Sequence, residues 1–192
     1  MVVNGAVKER SVTSTEIISS IDVLSIIEAL LFVSDEPLTV ERLLQVFDGV
    51  DRGTLCQLLE ELRIKFNSDG MPFVLREISG GLQLCTHPKY APWIKKLSSV
   101  RANSKLSRAA LETLAIVAYK QPVTRAEIEA VRGVSCTGVI ASLLDKKLIR
   151  IAGRQDAPGK PLLYRTTQEF LRHFGLRSVN DLPRISELKE LC

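Results

Sequence analysis

No stretch of this chain approaches the roughly 20 apolar residues that a membrane-spanning helix needs. The longest, residues 29–33 and 114–119, stop far short. The first 20 residues mix Lys8, Glu9 and Arg10 with several Ser and Thr residues and lack the continuous apolar segment of a secretion signal. The expectation is a cytoplasmic protein with a frayed N-terminal arm and no membrane contact. Cysteine is scarce and scattered: the four, Cys56, Cys85, Cys136 and Cys192, form no CxxC pair, which argues against a zinc site of closely spaced thiolates. Reduced thiols are expected, the first three packed as small apolar groups and the terminal one mobile. The two histidines, His87 and His173, lie far apart, and neither has a neighbouring Cys, Ser or Asp arrangement suited to acid-base chemistry. The phosphate-cradling GxxxxGK(S/T) loop is missing as well. No catalytic, metal or cofactor site can be assembled from these residues, so no cofactor is expected and an enzyme is the weakest of the available function classes.

With 45% hydrophobic and 25% charged residues, the 192-residue chain has the composition of an ordinary globular protein. Its length permits one domain or two small ones. The net charge of +4 conceals an asymmetry. Residues 21–100 carry 8 basic and 11 acidic side chains, a balance of −3, whereas residues 101–175 carry 13 and 6, a balance of +7. The second half is the part suited to an anionic partner.

An offset of 85 residues places Glu36-Pro37-Leu38-Thr39 over Gln121-Pro122-Val123-Thr124. Without a gap, Leu43 then falls on Ile128, Gly53 on Gly138, and Leu55, Leu58 and Leu59 on Ile140, Leu143 and Leu144. Apolar helix-length segments precede both Pro-x-Thr turns, and the i, i+3, i+4 spacing after them marks a buried helical face. A duplicated unit of three helices and a two-stranded hairpin is predicted. In the first copy Thr39 and Asp51 are placed to cap the second and third helices. Strands follow over 73–78 and 82–86 around Ser79-Gly80-Gly81, then a short helix over 89–97. In the second copy Ser107 caps the first helix, and Thr124 with Glu127 makes a capping box. The third helix is predicted over 137–147, and strands over 149–152 and 162–166 flank a longer loop. Thr166 with Glu169 is read as a further capping box before a last helix that Gly175 ends.

The predicted fold is mainly α with small β-hairpins: two tandem winged-helix domains, each a helix-turn-helix plus wing. Residues 1–20 form the flexible arm, 21–98 the first domain, 99–106 a linker, 107–175 the second domain and 176–192 a tail with few core-forming positions.

Such a fold commonly reads DNA through the start of its third helix. There the first copy offers Asp51, Arg52, Gly53 and Thr54 and then Glu60 and Glu61, which repel phosphates. The second offers Ser135, Cys136, Thr137 and Gly138, a poor set for reading bases. Its wing carries Arg150, Arg154, Lys160 and Arg165, which suit phosphates without reading sequence. A winged-helix DNA-binding protein or transcription regulator is therefore the alternative reading, with DNA contact weak or indirect; for these charges the simpler role is a solvated surface.

The other use of winged helices is protein interaction. The run Leu114-Ala115-Ile116-Val117-Ala118-Tyr119-Lys120-Gln121-Pro122-Val123-Thr124-Arg125, with Glu127-Ile128, resembles the signature of the segregation and condensation protein B (ScpB) family. Gly153-Arg154, Pro158-Gly159-Lys160-Pro161, Tyr164, Thr166-Thr167, Phe170-Leu171 and Phe174-Gly175-Leu176 are similar to its second wing and last helix, and Leu182-Pro183 to its closing motif. Residues 26–38 resemble its opening helix, so the likeness spans about residues 22–183. This resemblance implies a non-enzymatic adaptor of the bacterial SMC-kleisin complex. Two copies would pair through their first domains and bind the kleisin ScpA, which bridges the heads of an SMC ATPase. The setting would be chromosome condensation and segregation at the nucleoid.

A kleisin segment that orders on binding needs apolar contact to offset its lost entropy. The second domain is the first candidate, with Tyr119, Gln121, Pro122 and Tyr164 as anchors. The competing reading is that these four pack the helix corner and wing. In the first domain Leu30, Leu31, Phe32 and Val33 cannot share one helix face at 100° per residue, so part of this run is expected to meet a second copy, although a neighbouring wing would cover it equally well.

Overall fold

The computed structural model describes residues 23–47, 49–97 and 106–188. The expected arm over 1–20, most of the expected linker and Cys192 lie outside these residues. The described residues divide into two compact units: the first takes residues up to 76 and 81–87, and the second takes the residues from 88 onward together with the tip of the first hairpin, 77–80.

In the first unit, α1 (Val23–Val33) buries Ile27 and Leu31, one turn apart. Helix α2 (Val40–Leu44) starts where the Thr39 hydroxyl accepts from the backbone N–H of Arg42, and α3 (Arg52–Phe66) where Asp51 accepts from the N–H groups of Gly53 and Thr54. These oxygens satisfy donors that a helix start leaves unpaired. Leu55, Leu59, Leu62 and Phe66 form the buried stripe of α3. Strands β1 (Phe73–Ile78) and β2 (Gly81–Thr86) make the wing. Leu38 joins it antiparallel, exchanging two backbone hydrogen bonds of 2.8 Å with Leu82. A Cβ on Gly81 would stand 3.0 Å from the backbone of Pro37 and Leu38, so this approach of chain to wing requires glycine.

In the second unit a single turn of 3₁₀ helix (Pro88–Tyr90) leads into α4 (Ala91–Leu97), which buries none of its residues. Ser107 caps α5 (Arg108–Lys120), whose buried face includes Leu114, Val117 and Ala118. Strand β3 (Val123–Thr124) and α6 (Arg125–Arg132) follow, with the Thr124–Glu127 capping box at one end of α6 and Gly133 in the left-handed region at the other. Helix α7 spans Thr137–Asp145, and the wing is β4 (Ile149–Arg154) with β5 (Leu162–Thr166). The three strands are ordered β3-β5-β4, all antiparallel. Val123 pairs with Tyr164 much as Leu38 pairs with Leu82, so the predicted repeat extends to a strand that sequence alone did not reveal.

Two details differ from the sequence reading. The cap of α8 (Gln168–Phe174) is Thr167, because Thr166 is occupied as the last residue of β5. Past Gly175, Leu176, Val179 and Leu182 pack against the second core, around the short 3₁₀ turn Val179–Asp181, so part of the expected tail belongs to the domain. Helix α9 (Ile185–Leu188) comes last.

Each unit thus contains a winged helix, three helices and a small sheet around one apolar core, to which α8 adds Phe170 and Leu171 in the second. Leu43, Phe47 and Leu75 complete the first core; Ile128, Ile140 and Leu143 lie at the centre of the second.

Candidate interaction surfaces

On α1 the four consecutive apolar side chains separate as the helical angle demands. Leu31 is core, Leu30 is half-buried, and Phe32 and Val33 stand 76% and 72% exposed. Leu31 therefore leaves the expected dimer surface, since its side chain is used by its own domain. Leu30 and Val33 line a concavity of about 440 Å³ with Leu38, Leu43 and Val46, rimmed by the exposed pair Arg42–Glu36 at 3.8 Å. Uncovered apolar groups around a groove cost free energy in water and favour an apolar partner.

At the start of α3 one cation stands among two carboxylates. Arg52 donates to Glu41 at 2.9 Å, and the Asp51 carboxylate is held by the Thr54 hydroxyl and by the Gly53 and Thr54 N–H groups. These hydrogen bonds, that of the Thr54 side chain foremost, keep the Asp51 carboxyl below the usual carboxylate range. A carboxylate fixed at this position repels phosphate, against base reading by the first unit.

The four expected kleisin anchors have unlike environments. Tyr119 is 37% exposed, and its hydroxyl donates to the Pro183 carbonyl at 2.7 Å, so the side chain is tethered while partly open. Pro122, joined to Gln121 by a cis peptide, is exposed. The Gln121 side-chain oxygen accepts from both the backbone N–H and the hydroxyl of Thr166, at 2.8 and 2.9 Å. That oxygen ties the end of α5 to the wing and is not free for a partner. Tyr164 is 7% exposed and belongs to the core, which corrects its expected role as an open anchor: cross-strand from Val123, its ring faces inward.

The four wing cations form two pairs. Arg150 and Arg165 are direct cross-strand partners on β4 and β5, both exposed. Arg154 donates to the Lys160 carbonyl at 3.0 Å, and both residues line a separate concavity of about 380 Å³ with Arg125, Glu129 and Tyr164. Glu129 accepts from the Cys136 N–H at 3.0 Å and from Ser135, and that backbone bond foremost keeps its carboxyl below the usual range. The anionic partner of Arg125 is thereby internal.

No group of three metal-binding side chains occurs among the described residues. Cys136 is buried, and burial raises its thiol pKa and that of half-buried Cys85. Cys56 is exposed on α3 and not packed as expected, because the buried stripe of that helix passes through Leu55 and Leu59. The backbone of His87 bonds to Pro72, and His173 lies edge-on to Phe174, 5.0 Å between ring centroids. Sequence reasoning overlooked Tyr90, Trp93, Ile94 and Leu97 around α4, where the last three are exposed and Tyr90 meets Trp93 at 6.4 Å. The i, i+3, i+4, i+7 spacing from Tyr90 was the available signal.

Two winged helices in one chain, each with its own core, define a protein of the tandem winged-helix class. The family described as "Segregation and condensation complex subunit ScpB" matches residues 25–185. The chain belongs to this family. Segregation and condensation protein B of Syntrophotalea carbinolica is 50% identical over 172 residues, 90% of this chain and 86% of that protein. The protein of the same description from Acetivibrio thermocellus is 47% identical over 167 residues, 86% of this chain and 83% of that one. A solved structure described as the dimer of the ScpB N-terminal domain complexed with ScpA peptide is 32% identical, covers 38% of this chain and 91% of that chain, and has a TM-score of 0.36.

Proposed function

We propose that the chain is a non-enzymatic adaptor of the bacterial SMC-kleisin complex: it pairs with a second copy through its first unit and binds the kleisin ScpA, serving chromosome condensation and segregation in the cytoplasm at the nucleoid. Membership of a family described as a subunit of a segregation and condensation complex carries this reading. The exposed Phe32 and Val33 beside the α1–α2 groove supply the apolar surface that pairing needs. Of the anchors considered for the kleisin, Tyr119 and Pro122 keep open surface, so these two are the proposed contacts in the second unit.

The test is light scattering on the purified chain and on Phe32→Asp. Two carboxylates brought into an apolar interface are desolvated without partners, a strongly unfavourable arrangement. The parent is expected to be a dimer at micromolar concentration and the variant a folded monomer; a parent that is monomeric there removes the pairing claim. Kleisin binding is tested separately with Tyr119→Ala. Unchanged affinity in a folded variant removes Tyr119 from the contact.

A further inference from the structure

The cations of the second unit are unequally neutralised. On the helices and the segment after them, Arg108, Arg125, Arg132, Arg172 and Arg177 each face a carboxylate within 4 Å. On the wing, Arg150 and Arg165 form no ion pair among the described residues, and neither does Lys147, exposed two residues before β4. Asp156, in the loop between the strands, is the one carboxylate between residues 149 and 166.

The register sharpens this. Directly opposed residues of an antiparallel pair have Cβ atoms about 5 Å apart on one face, and like charges in that position repel. Arg150 and Arg165 are opposed in this way, next to the pair Ile149 and Thr166 whose side chains are buried. The inward side of the hairpin is therefore apolar and its outward side carries two adjacent guanidiniums. The two like charges oppose one another, and an anion placed between them would relieve the repulsion and accept from both forks. Arg154 is excluded from the patch because its guanidinium is turned to the Lys160 carbonyl.

We propose that the outward face of the second wing, through Arg150 and Arg165 with Lys147 beside them, contacts the phosphate backbone of double-stranded DNA without reading its sequence. The start of α7 supplies no cationic side chain, so the contact is electrostatic and specified by the wing alone. It is independent of kleisin binding and of pairing through the first unit.

The experiment is fluorescence anisotropy of a labelled duplex of about 30 base pairs, with the full chain alone, in a salt series from about 50 to 200 mM. Three proteins are compared: the parent, Arg150→Ala with Arg165→Ala, and Arg150→Lys with Arg165→Lys. All four substitutions are at exposed positions, and matching thermal midpoints establish that the variants fold. The alanine variant is expected to bind roughly tenfold more weakly and to flatten the slope of log K against log salt by about 2, the release of two phosphate counterions. The lysine variant should retain most of the affinity because charge, not bidentate geometry at a base, carries the contact. Equal affinity of parent and alanine variant, binding insensitive to salt, or no binding at about 50 mM salt overturns the proposal. So does a result in which the alanine pair leaves duplex binding intact but abolishes binding of a poly-glutamate peptide, which would make the wing a surface for acidic proteins.

Discussion

The Thr124 and Glu127 pair sets the geometry of the helix-turn in the second unit. The Thr124 hydroxyl accepts from the Glu127 N–H, and the carboxylate of Glu127 accepts from the Thr124 N–H at 2.7 Å. That backbone donor, and then the Thr124 hydroxyl, hold the Glu127 carboxyl below its usual range. Because its folded pKa is depressed, the stability it contributes is present above the unfolded carboxylate pKa and is lost as pH falls through the folded value. Glu127→Gln keeps an acceptor but no charge, so its thermal midpoint is expected to change less than the parent's between pH about 7 and about 3. An equal change in both would remove Glu127 from the acid sensitivity. Thr124→Ala, at a buried cap, should cost about 1 kcal/mol in chemical denaturation. Tyr164→Ala empties part of the second core and is expected to cost about 3–5 kcal/mol, with any loss of kleisin binding following the loss of fold. Tyr119→Phe, which removes only the donor to Pro183, should cost about 1 kcal/mol or less.

At the scale of elements, the caps were legible because each rests on one short side chain at a fixed offset from its helix. Thr39, Asp51, Ser107 and Thr124 all act as the sequence indicates. Thr166 was misplaced by one residue: two threonines stand side by side, and the strand pairing of Thr166 with Ile149 decides which one is left to cap. Strand β3 was not legible, since two residues carry no alternation; its partner β5 defines it. Burial was harder to read than element type. Tyr164 and Arg165 are neighbours of opposite fate, and only the register of β5 between β3 and β4 fixes which faces inward. On α1 the 100° rule required that part of the run face outward, while the choice of Phe32 and Val33 follows from Ile27 and Leu31 meeting the rest of the core.

The whole molecule is a repeat whose copies keep their cores and diverge in their surfaces. Both preserve the Pro-x-Thr turn and a wing strand bonded to the segment before the second helix. The first copy carries a negative balance and an apolar groove, the surface that the proposed pairing needs. The second carries the positive balance, and Arg150 and Arg165 of its wing stand opposite one another without an ion pair among the described residues. The proposed function requires that two copies hold one another and take up a kleisin. The direct measurement is size-exclusion chromatography with light scattering on this chain, alone and mixed with the ScpA kleisin encoded by the same genome. The account predicts a dimer that co-elutes with the kleisin at moderate salt. A monomer that elutes apart from the kleisin contradicts it.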